Sequence, residues 1–65
     1  MTKLKKVREE QGITQKQLSE KSGINLRTIQ NLEQGYKNIN HASVSKVIKI
    51  AIALHCSIMD ILEIE

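Results

Sequence analysis

Cys56, His41 and His55 are the side chains that first invite a chemical reading. Thiolate and imidazole can hold a transition metal, but a chelating set needs its ligands at short, defined spacings. Here His55 and Cys56 are adjacent, and His41 lies more than about three helical turns away. That spacing fits no metal site. Cys56 is expected instead to be a small apolar residue packed just ahead of a last helix. No nucleophile, base and orienting group can be assembled from the rest, so no catalysis and no cofactor is expected. A second group, Arg27, Gln30 and Asn31, is of another kind. Their planar guanidinium and amide groups present donors and acceptors in pairs, which suits them to recognition by bidentate hydrogen bonds.

The chain that must position these groups is short. Its 65 residues leave room for one domain, residues 1–65, and a chain of this size buries only ~60% of its unfolded surface. A large enzyme cavity and a cofactor-binding crossover fold are excluded. The composition holds one aromatic residue (Tyr36), no Pro, three Gly and a single Cys, which cannot build a disulfide framework. The run without Asp, Glu, Lys or Arg from Ile50 to Met59 is too short to span a bilayer and holds His55 and Ser57. Lys3, Lys5 and Lys6 are followed by Glu9 and Glu10 and not by an apolar stretch, so no signal peptide is read and no membrane is expected. A soluble protein of a reducing compartment, cytoplasmic, follows as the expectation. The net charge of +3 decides nothing by itself. Its distribution is more telling: residues 1–40 carry eight Lys/Arg against four Glu, and residues 41–65 two Lys against Asp60, Glu63 and Glu65.

Punctuation divides the chain into helices. Gly12, Gly23 and Gly35 each follow a stretch of helical periodicity, where a left-handed residue closes a helix. Thr14, Asn25, Asn40 and Ser57 are of N-cap type. Each is preceded by an apolar residue and followed by another four positions on: Ile13/Leu18, Ile24/Ile29, Ile39/Val44 and Cys56/Ile61. Thr14 to Gln17 also fits a capping box. The pattern predicts five helices, over about 2–11, 14–22, 25–34, 41–55 and 57–63. Leu4, Val7, Leu18, Ile24, Ile29, Leu32, Val44, Val47, Ile48, Ala51, Leu54, Ile58, Ile61 and Leu62 supply one core, with no competing strand pattern. The fold class is all-α. The second and third helices are joined by Ser22-Gly23-Ile24 alone and must cross steeply, with Ser19 as the small residue at the crossing; this is a helix-turn-helix.

The segment Ile13-Thr14-Gln15 through Leu18, Gly23, Ile29, Glu33 and Gly35 resembles the phage repressor and Cro-type (XRE) helix-turn-helix family. Asn38-Ile39-Asn40-His41-Ala42 is similar to a variant common among small bacterial regulators. The resemblance covers Leu4 to Leu62 and implies a five-helix, lambda-repressor-like DNA-binding domain, bacterial or phage-encoded. Ser19, Ser22 and His55 depart from the residues usual there, which implies slightly weaker packing.

In this family the second helix of the motif lies in the major groove of DNA. The resemblance therefore implies base reading by Leu26, Arg27, Gln30 and Asn31. Arg27 suits guanine, Gln30 or Asn31 suits adenine, and Leu26 suits a thymine methyl. Phosphate contacts are expected from Gln15, at a helix start where free N–H groups favour an anion, and from Lys37, Asn38 and Asn40, with Thr28 and Lys16 in weaker positions. Tyr36 either closes the third helix over the core or reaches a phosphate. Arg8 and Glu33 are implied to form a structural ion pair.

The implied function is sequence-specific binding of double-stranded DNA by a transcriptional regulator, acting as a repressor by occupying its operator. Ile52, Met59 and Ile64 lie beside the expected core faces of the last two helices and, with Ile58 at the edge of that core, suggest a homodimer interface. Such a dimer demands a near-palindromic operator. The competing reading is a protein-interaction module, or an antitoxin of a toxin–antitoxin pair, with a protein partner and the same fold.

Overall fold

Hydroxyl and amide caps start the helices, as local backbone chemistry requires of orphan N–H groups. Thr2 Oγ1 accepts from Lys5 N at 3.2 Å and opens α1 (Lys3–Glu10). Thr14 Oγ1 accepts from Gln17 N at 3.0 Å, and Thr14 N donates to Gln17 Oε1 at 2.8 Å, so the capping box expected from the sequence opens α2 (Gln15–Ser22). Asn25 Oδ1 accepts from Arg27 N at 2.7 Å ahead of α3 (Leu26–Gln34). Ser43 Oγ accepts from Lys46 N at 3.3 Å ahead of α4 (Val44–Ala53). The computed structural model describes residues 2–63. Two single 3₁₀ turns, Ile39–His41 and Ile58–Asp60, complete an all-helical fold with no strand among the described residues.

The second half of the chain corrects the sequence reading in three places. The fourth helix starts on Ser43 and not on Asn40, because Asn38 caps a 3₁₀ turn that carries Ile39 into the core and delays the helix. Residues 57–63 do not form a fifth helix. They make the 3₁₀ turn Ile58–Asp60, where the Asp60 carboxylate accepts from Ser57 N at 3.0 Å and Ser57 Oγ at 3.1 Å. So short a segment gains too few hydrogen bonds to offset helix nucleation.

The third correction concerns which face of α4 is inside. Val47, Ile50, Ala51 and Leu54 are buried, with Ile50 fully so, whereas Val44 is 69% and Ile48 39% exposed. Both sets have helical spacing. The apolar arc of α4 spans roughly 200° of the helix wheel, more than a thin domain can cover, and the core takes only one side of it.

α2 packs against α3 and α4, α1 against α3, and the Ile58–Asp60 turn bridges α1 and α4. The core that results is made of Leu4, Leu18, Ile24, Ile29, Leu32, Ile39, Val47, Ile50, Leu54 and Ile61, with small alanines between. Polar ties close the outside. Gln11 Nε2 donates to the Leu54 carbonyl, joining α1 to the end of α4. Asn40 clamps the backbone of Glu63 from both sides, donating from Nδ2 to its carbonyl and accepting from its N–H, each at 2.9 Å. Glu63 Oε1 in turn accepts from Lys3 N at 2.7 Å.

Candidate nucleic-acid interface

The crossing of α2 and α3 is held by the two serines that depart from the usual pattern. Ser19 Oγ donates to the Ile24 carbonyl at 2.6 Å, and Ile24 N donates to Ser22 Oγ at 3.2 Å. Both polar groups of the buried turn residue Ile24 are thus satisfied inside the motif by the two serine hydroxyls, which an apolar side chain could not do. Gly23 makes the reversal at φ 74°, with its N–H on the Ser19 carbonyl at 2.9 Å. A side chain at this left-handed position would be strained. The expected weakening of the packing is therefore offset by hydrogen bonds. Leu18, Ile24, Ile29 and Leu32 lie buried beneath the crossing.

Packing through Ile29, Leu32 and Glu33 fixes the rotation of α3 and decides what it turns outward. Arg27 is exposed, and Leu26, Thr28, Gln30 and Asn31 are half-buried along the flanks of the same helix. Among the described residues no hydrogen bond engages the side chains of Arg27, Gln30 or Asn31, although the Arg27 backbone N–H is held by Asn25. Their paired donors and acceptors remain free for a ligand.

Behind α3 sits a polar network. Arg8 Nε donates to Glu33 Oε2 at 2.7 Å, Arg8 Nη2 to Glu33 Oε1 at 3.1 Å, and Arg8 Nη1 to the Ile13 carbonyl at 2.7 Å. Donation to the Glu33 carboxylate holds the Arg8 proton more firmly than usual, against the opposing effect of burial. Gln15 Nε2 donates to Glu33 Oε1 at 3.0 Å. One carboxylate therefore ties α1, the first turn of α2 and the end of α3 together. Gln15 stands where free N–H groups of α2 face outward, and Lys16 beside it is exposed.

The expected phosphate-binding residues divide. Thr28, Lys37 and Asn38 come together in a cleft of about 410 Å³ between α3 and the start of α4, lined also by Leu32, His41, Ala42, Ser43 and Lys46. Asn40 does not join them. Its amide is bonded instead to the backbone of Glu63. Tyr36, left open by the sequence, is 77% exposed and does not cover the core.

The sequence pattern places His41, Ser43 and Lys46 inside a helix, so none of them is expected at this cleft. The signal was Ser43 itself, an N-cap type with a lysine three positions on and no acidic residue in the first turn. The cleft has no carboxylate in its lining.

Of the residues offered for self-association, Ile52 is 67% and Met59 60% exposed, whereas Ile58 is half-buried against the core. Ile64 lies outside the described residues. Cys56 is half-buried, and burial, reinforced by Asp60, pushes its thiol up from the usual range. No helix of the described residues is long and apolar enough to cross a membrane.

Comparison with curated proteins gives no significant match. The helix-turn-helix family model matches residues 4–61, nearly the whole chain. It follows that the chain belongs to the Cro- and repressor-type (XRE) family of helix-turn-helix, DNA-binding transcription regulators.

Proposed function

We propose that the 65 residues act as one DNA-binding domain, a cytoplasmic repressor that binds a specific operator as a homodimer and blocks a promoter by occupying it. The observation that carries this reading is the outer face of α3, a free guanidinium and two free amides, flanked by a cationic cleft without carboxylates. In this reading Arg27, Gln30, Asn31 and Leu26 contact base edges in the major groove. The cleft of Thr28, Lys37, Asn38, Ser43 and Lys46 seats a backbone phosphate, and Gln15 with Lys16 seats another. Arg8 and Glu33 hold Gln15 and α3 in register.

The exposed aliphatic stripe Val44, Ile48 and Ile52 on α4, together with Met59, supports pairing with a second copy. A two-fold dimer through this face sets two α3 helices about one turn of DNA apart and requires a near-palindromic site. The same stripe favours a second reading, in which it receives a different protein, as an antitoxin receives a toxin.

Selection of bound oligonucleotides from a random pool, followed by titration at several salt concentrations, tests the proposal. The expected result is a two-fold symmetric consensus and an affinity that falls steeply with salt. An affinity that barely responds to salt would overturn the DNA reading. A consensus with only one half-site, bound by a monomer, would overturn the dimer and leave the stripe to a protein partner.

A further inference from the structure

The cleft between α3 and α4 holds one imidazole. His41 closes the 3₁₀ turn Ile39–His41, is exposed, and lines the cleft with Lys37 and Lys46. α3 contributes Thr28 and Leu32 to the lining, the loop contributes Lys37, Asn38 and Ala42, and α4 with its cap contributes Ser43 and Lys46. Every charged group facing His41 from these elements is cationic.

We infer that His41 is a phosphate-binding residue of this cleft and that it binds as the imidazolium, so that association with DNA takes up a proton. The inference rests on the DNA reading above. The physical argument is one of charge. A phosphate seated in the cleft favours the imidazolium both by attraction and by accepting its N–H. Whatever binds the protonated form better must raise the protonated fraction, and protonation must then strengthen binding in equal measure. The sign follows directly. The added affinity is fully present at low pH and is lost as pH rises through the range in which histidines titrate, about pH 5 to 8. Since the contact is to the backbone, it strengthens binding to every sequence alike.

His55 provides an internal control. It lies exposed beyond the other end of α4 and does not line the cleft. The experiment is fluorescence anisotropy of the full chain with a mixed-sequence DNA duplex, at constant low salt, between about pH 8 and pH 5.5. Wild-type protein is expected to tighten as pH falls, by of order tenfold per protomer and never by more than tenfold per pH unit for one proton. His41→Gln should flatten the profile, removing the tightening that the wild type gains between about pH 8 and pH 5.5. His55→Gln should follow the wild-type curve.

A pH profile that survives His41→Gln, or one that His55→Gln removes, would overturn the inference, as would a wild-type profile already flat while binding remains salt-dependent. Binding that is absent or salt-insensitive at every pH would overturn the DNA reading itself, and this inference with it. Circular dichroism of both variants checks that neither exposed substitution unfolds the chain.

Discussion

α3 and α4 are of similar length and lie on adjoining parts of the same core, yet they use their outer faces in opposite ways. α3 buries Ile29, Leu32 and the charged Glu33, and turns Arg27, Gln30 and Asn31 outward. α4 buries Val47, Ile50, Ala51 and Ala53, and turns Val44, Ile48 and Ile52 outward. The polar group is inside on the first helix and the apolar group outside on the second. Each inversion runs against what folding alone rewards, since a buried charge costs desolvation and an exposed aliphatic stripe gains nothing from water. Such exceptions point to work done for something other than the core. On α3 it is, under the proposed function, the rigid presentation of a reading face; on α4 it is the proposed partner surface.

The strongest way to break this comparison is to remove the buried charge on α3. Glu33→Ala strands the Arg8 guanidinium against the Ile13 carbonyl and frees Gln15. A loss of about 3–5 kcal/mol is expected in urea denaturation, enough to threaten folding of so small a domain.

α4 supplies a sharper contrast between two isoleucines of the same helix. Ile50→Ala empties a fully buried site and should cost about 2–5 kcal/mol. Ile52→Asp, at an exposed site, should change stability by less than about 0.5 kcal/mol. Under the dimer proposal it nonetheless converts the protein to a monomer in sedimentation and weakens operator binding. If Ile52→Asp sediments as wild type, the outward stripe is not the pairing surface.

On the outer face of α3 the expected change is in discrimination and not in stability. Arg27→Ala should lose about 1–3 kcal/mol of preference at one base position, read by competition among operator variants, with the melting temperature unmoved. The smallest effect belongs to the end of α4. His55 holds a left-handed φ of 53°, which side chains adopt at a cost. His55→Gly should stabilise the fold by about 0.5–1 kcal/mol in thermal or urea unfolding.

The same comparison explains what the amino-acid sequence discloses and what it conceals. α1, α2 and α3 are legible to within a residue or so because each is bounded twice, by a capping side chain and by a glycine with positive φ. The buried face of α3 is legible too, since polar residues mark its outside. α4 has no such marker along a third of its circumference, and periodicity cannot choose between two interleaved aliphatic sets. The start of α4 is ambiguous for a similar reason: Asn40 and Ser43 are both N-cap types with an apolar residue before them. Asn40 is withdrawn by a contact to Glu63 that spans 23 residues, which no local pattern encodes. That displacement is also why the cleft lined by His41, Ser43 and Lys46 escaped the sequence reading while Thr28, Lys37 and Asn38 did not.

The bond from Lys3 N to the Glu63 carboxylate has a further consequence for how this chain can be rewired. It brings the first and last helical segments side by side, so that a short linker could join them into a ring. New ends could then be opened elsewhere, as segments that lie this close generally permit. A cut at Gly12, exposed between two capped helices, would leave the α2–α3 crossing and the cleft whole. A cut between Tyr36 and Asn38 would divide the cleft wall from α3. Two circular permutants of identical composition would thus separate the integrity of the fold from the integrity of the phosphate seat.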